Sequence, residues 1–175
     1  PSLFLAYGYT GGPLPLAYRG LGELFVLGFF GWIAVSGTVY LQTACVPPEA
    51  WLLGSQVGLL STLLISINNF RDREEDALTG KRTLAVRLGP KLMAGLIWLE
   101  IKLAAFLGLL WIVLDRPTLL LGSLPVLLIG PRILWVVLTR PPGPEFNRIL
   151  ALAALQLILF AALFHLAAAA NPSQP

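Results

Sequence analysis

The stretch SINNFRDREEDALTGKRTLAVRLG, Ser66–Gly89, packs four acids into Asp72–Asp76 and follows them with bases at Lys81, Arg82 and Arg87. Long apolar runs flank it on both sides. Of the 175 residues, 57% are hydrophobic and only 12% are charged, against about 25% in an ordinary soluble domain. The charged stretch is therefore a connection between apolar segments, and the chain reads as an integral membrane protein. Net charge is +3, but the bases lie between apolar spans and form no soluble basic face, so nucleic acid is not an expected partner. Cys45 is the single cysteine, which excludes an intramolecular disulfide and a cysteine-rich zinc site.

Five segments are long enough for the roughly 20 helical residues that a bilayer core requires. They are Gly22–Thr43, Glu49–Asn68, Pro90–Leu114, Thr118–Thr139 and Asn147–Ala170. Pro47-Pro48, Asp115-Arg116-Pro117 and the run RPPGPEFNR (Arg140–Arg148) punctuate the connections. Hydrophobicity surrounds most of each segment, as on lipid-facing helices, and does not alternate as in a membrane β-barrel. The expected fold is an all-α, multi-pass transmembrane helical bundle in the lipid bilayer, with short connections making neighbouring helices antiparallel.

Lysine and arginine crowd alternate connections. Arg19 precedes the first span, six bases fall within 69–91, and Arg140 and Arg148 lie before the last span. The intervening connections carry none and Arg116 alone. The positive-inside rule orients the rich connections toward the cytoplasm, which places loop 69–91 there and the protein in the cytoplasmic membrane.

Asn68, Asp72 and Asp76 stand at i, i+4 and i+8. A helix continued from the second span aligns them on one face. Adjacent like charges are destabilising unless a positive group lies between them. Hard carboxylate oxygens suit Mg²⁺, which keeps several waters and bridges to phosphates. Bases beside such a face point to a polyanion such as a diphosphate, and Gly80 permits the turn that folds them back over the acids. The competing reading is a solvated loop that only sets topology. It accounts for the bases but not for four acids in five residues, since acids contribute little to topology.

NNFRDREEDALTGKRTLAVRLG (Asn68–Gly89) resembles the second aspartate-rich motif of the UbiA superfamily of intramembrane prenyltransferases. Its nearest likeness is to the 1,4-dihydroxy-2-naphthoate polyprenyltransferases of menaquinone biosynthesis and their phytyl-transferring relatives. YTGGPLPLAYRGLGELFVLGFFG (Tyr9–Gly31) and SGTVYLQT (Ser36–Thr43) are similar to the segment of that branch entering and closing its fifth helix. The resemblance implies a nine-helix fold of which these spans are helices five to nine. The chain, 1–175, is then the C-terminal part of one membrane prenyltransferase domain, without the first aspartate-rich motif and inactive in isolation. It also implies Mg²⁺ as cofactor, and a polyprenyl diphosphate and an aromatic naphthoate as substrates. The metal and catalytic positions carried over are Asn68, Asp72 and Asp76. The diphosphate-binding positions are Arg71, Lys81 and Arg82, with Tyr18 and Arg19 upstream. Leu14 departs from the tyrosine usual in this branch. Phytyl transfer in phylloquinone synthesis, homogentisate or chlorophyllide acceptors, and a non-catalytic helical bundle are the alternatives.

Several intramembrane residues carry lesser expectations. Glu100 and Lys102 fall inside the third span and Arg132 inside the fourth, where charge marks function by default. Arg132 is expected either at an acceptor carboxylate or in an ion pair with Glu100. Trp98, Phe106, Trp111 and Trp135 are candidates to shield a carbocation, although tryptophan near a membrane boundary is more often an interface anchor. His165 is expected in a helix–helix hydrogen bond. Gly28, Gly31 and Gly37 are expected at a close helix crossing. Glu23 is expected to favour a helix start.

Overall fold

The computed structural model describes residues 17–170. After a short 3₁₀ turn, Ala17–Arg19, and Gly20 at φ +72° come five helices long and apolar enough to cross a membrane. These are α1 (Gly22–Thr43), α2 (Pro48–Arg71), α4 (Leu84–Val113), α5 (Pro117–Thr139) and α6 (Glu145–Ala170). A short α3 (Arg73–Leu78) joins α2 to α4. No strand occurs among the described residues.

The helix starts follow local chemistry. Pro48 occupies the first turn of α2, where its missing N–H costs nothing. α4 opens on a short stretch from Leu84 and breaks at Gly89, at φ +74° and ψ 174°, before Pro90 begins the long span. The third span therefore starts where proline and glycine indicate, with a preceding turn that hydropathy alone does not reveal. α5 begins as a 3₁₀ segment, Pro117–Ser123, and becomes α-helical at Leu124.

α2 is the central helix. Within its most apolar window 61% of residues are buried, against 11% in α1 and 22% in α6. Leu60, Leu63 and Ile67 of α2 meet Met93, Ile97 and Ala104 of α4, Ile133 and Val136 of α5, and Phe146, Ile149 and Phe160 of α6 in one cluster. In lipid, apolar burial gives helices little reason to associate, so close backbone approach and interhelical hydrogen bonds decide the packing.

Both devices are present. α1 contains a π-helical segment, Leu27–Ile33, which runs against α2. A Cβ on Gly58 would lie 2.8 Å from the Leu27 carbonyl oxygen and 3.0 Å from Gly31 Cα, and one on Gly54 would lie 3.0 Å from the Gly31 carbonyl. Gly31, Gly54 and Gly58 thus form the crossing. Gly28 and Gly37 do not belong to it: a Cβ at either meets nothing within 4 Å. The motif that matters is Gly54-x-x-x-Gly58 on α2, opposed by one glycine of α1.

The second device is a buried polar knot. Gln56 donates through Nε2 to the Ala104 carbonyl and to Ser123 Oγ, both at 3.1 Å. Its Oε1 accepts from Trp111 Nε1 at 2.7 Å. α2, α4 and α5 are tied at one point, and Trp111 packs on Phe164 of α6 with ring centres 5.2 Å apart. Gln56→Leu leaves the Trp111 N–H unpaired, and we expect a loss of about 1–2 kcal/mol of stability. Thermal unfolding of Q56L, W111F and the double variant measures the coupling; additive losses would mean that the bond contributes nothing.

Candidate active site

The acidic face lies where α2 ends. The expected unbroken helix through Asp76 does not form: Asp72, at φ −90° and ψ 5°, separates α2 from α3. The amide ladder nevertheless continues across the break, with Asp72 N–H donating to the Asn68 carbonyl at 3.0 Å and Asp76 N–H to the Asp72 carbonyl at 2.8 Å. The i, i+4, i+8 spacing therefore survives as backbone geometry.

Asp72 and Asp76 each have a base of their own. The Arg71 guanidinium grips Asp72 through two bonds, Nε to Oδ1 at 2.6 Å and Nη2 to Oδ2 at 2.8 Å. The same Nη2 donates to Asn68 Oδ1 at 3.0 Å. Asp76 is buried and pairs with Lys81 Nζ at 3.1 Å. Gly80, at φ +79°, makes the turn that returns Lys81 to it, and Lys81 N–H also donates to the Asp76 carbonyl at 2.9 Å. The hydrogen bond to Asp76, helped by its charge, holds the Lys81 ammonium above the ordinary lysine range, so Lys81 is cationic at neutral pH.

The upstream turn joins this group. The Tyr18 carbonyl accepts from the Arg82 N–H at 3.0 Å, and Lys81 Nζ sits 5.5 Å from the centre of the Tyr18 ring. Lys81, Arg82 and Arg87, with Ala77, Gly80 and Val86, line a hollow of about 510 Å³. Arg19 is exposed on the same turn. Of the eight expected site residues, Asn68, Arg71 and Asp72 form one hydrogen-bonded group. Tyr18, Asp76, Lys81 and Arg82 form a second. Leu14 lies outside the described residues.

Behind the acids is a buried polar layer. Glu23 does more than start α1: it is buried, and its Oε1 accepts from Asn69 Nδ2 at 2.9 Å. One turn earlier on α2, Ser66 Oγ donates to Glu100 Oε1 at 2.7 Å. The two carboxylates thus tie α1 and α4 to the two turns of α2 that carry Asn68. Glu23 Oε2 and Glu100 Oε2 are buried without a partner among the described residues. Arg132 is not paired with Glu100. It is exposed and lies over the Trp135 ring at 4.6 Å. Lys102 lies over Trp98 at 6.0 Å. Trp98, Phe106 and Trp135 face outward and Trp111 is held by Gln56. His165 is exposed and makes no side-chain hydrogen bond among the described residues. For the two cations the apolar exterior, with its aromatic faces, satisfies a side chain that hydropathy alone would send inward.

The donor set fits Mg²⁺ in chemistry: two carboxylates and an amide oxygen, all hard, with a cation already drawn to Asp72 and Asn68 in the form of Arg71. Three or more acidic, histidine or cysteine side chains do not converge among the described residues.

The UbiA prenyltransferase family model matches residues 1–155. The chain belongs to the UbiA family. Among similar proteins, the 1,4-dihydroxy-2-naphthoate octaprenyltransferase of Haemophilus influenzae is 48% identical over 88 residues, 50% of this chain and 29% of that protein. Its Escherichia coli counterpart is 47% identical over the same shares. The 2-carboxy-1,4-naphthoquinone phytyltransferase of Synechocystis is 33% identical over 100 residues, 57% of this chain and 33% of its own. The chain spans less than a third of the length of the first two relatives. No solved structure matches it.

Two parts of this UbiA-family site escape a reading by residue type. Asn147, at the start of α6, accepts from Arg71 Nη1 at 2.6 Å. The Glu23–Asn69 and Ser66–Glu100 bonds join residues 46 and 34 positions apart. The available signal was an unexplained acid inside an apolar span, at Glu100 and at the head of α1.

Proposed function

We propose that this chain carries one wall of a Mg²⁺-dependent site that transfers a polyprenyl group from an allylic diphosphate to 1,4-dihydroxy-2-naphthoate, with loss of CO₂, in menaquinone biosynthesis. The observation that carries this reading is the arrangement at the end of α2. Asn68, Asp72 and Asp76 follow one another at four-residue steps along the amide ladder, and Asp76 pairs with Lys81, which lines a hollow with Arg82 and Arg87. Family membership supports prenyl transfer, and the names of the relatives support a naphthoate acceptor.

The division of labour follows from charge. When bound, Mg²⁺ neutralises the diphosphate and stabilises it as a leaving group. Asp72, Asp76 and Asn68 offer the oxygens that hold the ion. Lys81 and Arg82 meet the diphosphate, with Tyr18 and Arg19 at the rim, and stabilise the negative charge that grows as the carbon–oxygen bond breaks. The prenyl carbon becomes an allylic cation. The ring carbon bearing the carboxylate attacks it, and CO₂ departs, leaving its electron pair to restore the aromatic ring. The polar head requires the charged connection and the prenyl tail requires an apolar chamber, which explains a charged site at the mouth of a membrane bundle. On this reading loop 69–91 faces the cytoplasm.

The test is an assay of the full-length gene product in membranes with Mg²⁺, geranylgeranyl diphosphate and carboxyl-labelled 1,4-dihydroxy-2-naphthoate. We expect labelled CO₂ released in step with a prenylated naphthoquinol, and none when EDTA removes the metal. Prenylation of homogentisate in preference to the naphthoate would refute the acceptor assignment. Phytyl diphosphate is the second donor to try, on the strength of the Synechocystis relative.

A further inference from the structure

Arg71 uses every edge of its guanidinium at once. Nε and Nη2 hold both oxygens of Asp72, Nη2 also reaches Asn68 Oδ1, and Nη1 donates to Asn147 Oδ1 at 2.6 Å. Arg71 and Asp72 are partly buried, with side-chain exposures of 24% and 30%. Asn147 lies 76 positions further along the chain, in the first turn of α6. A guanidinium bound as a fork to a carboxylate is among the stronger and more directional ion pairs.

The oxygens that Arg71 occupies are those a metal ion needs. Both Asp72 oxygens and the Asn68 amide oxygen already accept hydrogen bonds from one cation. The fork takes one lone pair on each of these oxygens; a divalent ion on the remaining ones would sit beside the guanidinium, and two cations at that spacing repel. We infer that Arg71 is an internal counter-cation that leaves Asp72 and Asn68 when a divalent ion binds, and that Asn147 holds it in the unliganded position.

This inference rests on the proposed metal site and deepens it. Exchange keeps the acidic face neutralised in both states, so no bare carboxylate pair is presented to the membrane surface. It also frees a guanidinium next to the incoming diphosphate at the moment the metal arrives. Asn147 sets the balance: its bond to Nη1 exists only while Arg71 is seated on Asp72. Asn147 is therefore a positioning residue, acting through Arg71, and it ties α6 to the motif at the end of α2.

The sign of the effect separates this role from a merely structural one. Removing a residue that only supports the site loosens metal binding. Removing one that holds a competitor tightens it. The probe is Mn²⁺, followed by its free-ion electron paramagnetic resonance signal in detergent-solubilised full-length gene product, alone and with inorganic diphosphate. Asn147→Ala should tighten Mn²⁺ binding about tenfold, the lower end of what one hydrogen bond to a charged group is worth. Arg71→Gln should tighten Mn²⁺ alone at least as much, yet weaken retention of diphosphate. Asn147 is exposed, so its substitution leaves the core intact. Unchanged or weaker Mn²⁺ binding in N147A, with wild-type binding sensitive to Asp72→Asn, would overturn the exchange and leave the metal site standing. Mn²⁺ binding indifferent to Asp72→Asn and Asp76→Asn would overturn both.

Discussion

Asp76→Ala removes prenyl transfer, by about 10²–10³-fold or more if Asp76 acts as one electrostatic anchor of the transition state. The side chain is buried and the residue is held from two directions. The Asp72 carbonyl fixes its backbone amide, and Lys81 returns through the Gly80 turn to meet its carboxylate at 3.1 Å. On the proposed assignment, alanine deletes a metal oxygen and at the same time releases Lys81, so one metal ligand and one diphosphate contact are lost together. Asp76→Asn keeps the volume and one oxygen but not the charge, and should recover only a small part of the rate. The fold should change little, because Lys81 is more than one-third exposed and regains water when its partner goes. Turnover in the full-length gene product, read beside its unfolding temperature, separates the two effects. Near wild-type turnover in D76A would remove Asp76 from the site, and activity lost in step with stability would make its role structural.

Gly58→Val is the substitution expected to do most damage to the fold. A Cβ there meets the Leu27 carbonyl oxygen at 2.8 Å and Gly31 Cα at 3.0 Å, and both are backbone atoms that no side-chain rotation can move. Overpacking of this kind typically costs about 1–3 kcal/mol, and it falls where the π-helical turn of α1 packs against α2. Only 11% of the apolar window of α1 is buried, so little else holds that helix. Its displacement would also draw Glu23 away from Asn69 and the Tyr18 turn away from Arg82. Activity should therefore fall although no acid or base is altered. Gly37→Ala is the control: nothing lies within 4 Å of its added methyl, and alanine is the better helix former by about 1 kcal/mol. G58V should unfold at a clearly lower temperature than wild type while G37A matches or exceeds it. Equal behaviour of the two would mean that the glycine crossing does not hold α1 in place.

The helices and the acidic face were legible along the chain because their causes are local. Hydropathy over about 20 residues measures the cost of placing a segment in lipid, so the first span, Gly22–Thr43, was read to the residue and most others to within a few. The exception is α4, which starts at Leu84 because Gly89 adopts a backbone angle that lets a preceding helical turn join it. Asn68, Asp72 and Asp76 kept their spacing through the break at Asp72, since the amide ladder depends on neighbours four residues away. The return of Lys81 to Asp76 was equally local, a matter of one glycine in a turn.

Pairings between helices were another matter. A glycine in an apolar span can face a neighbour or lipid, and composition does not distinguish Gly31, which is packed, from Gly28 and Gly37, which are open. Intramembrane charge invites an ion pair, yet Glu100 found Ser66, and Arg132 and Lys102 found aromatic faces. The Arg71–Asn147 bond depends on where α6 begins relative to the end of α2, which no periodicity encodes. Segment length, hydropathy and i, i+4 spacing are sums over adjacent residues, and they determined five membrane helices and a carboxylate face beside a basic turn. Partner choice is a matter of helix rotation and register within a few ångströms, set by close packing across the whole bundle. Only the tertiary structure therefore decided that Arg71 bridges the acidic face to α6, and that Glu23 and Glu100 lie buried behind it.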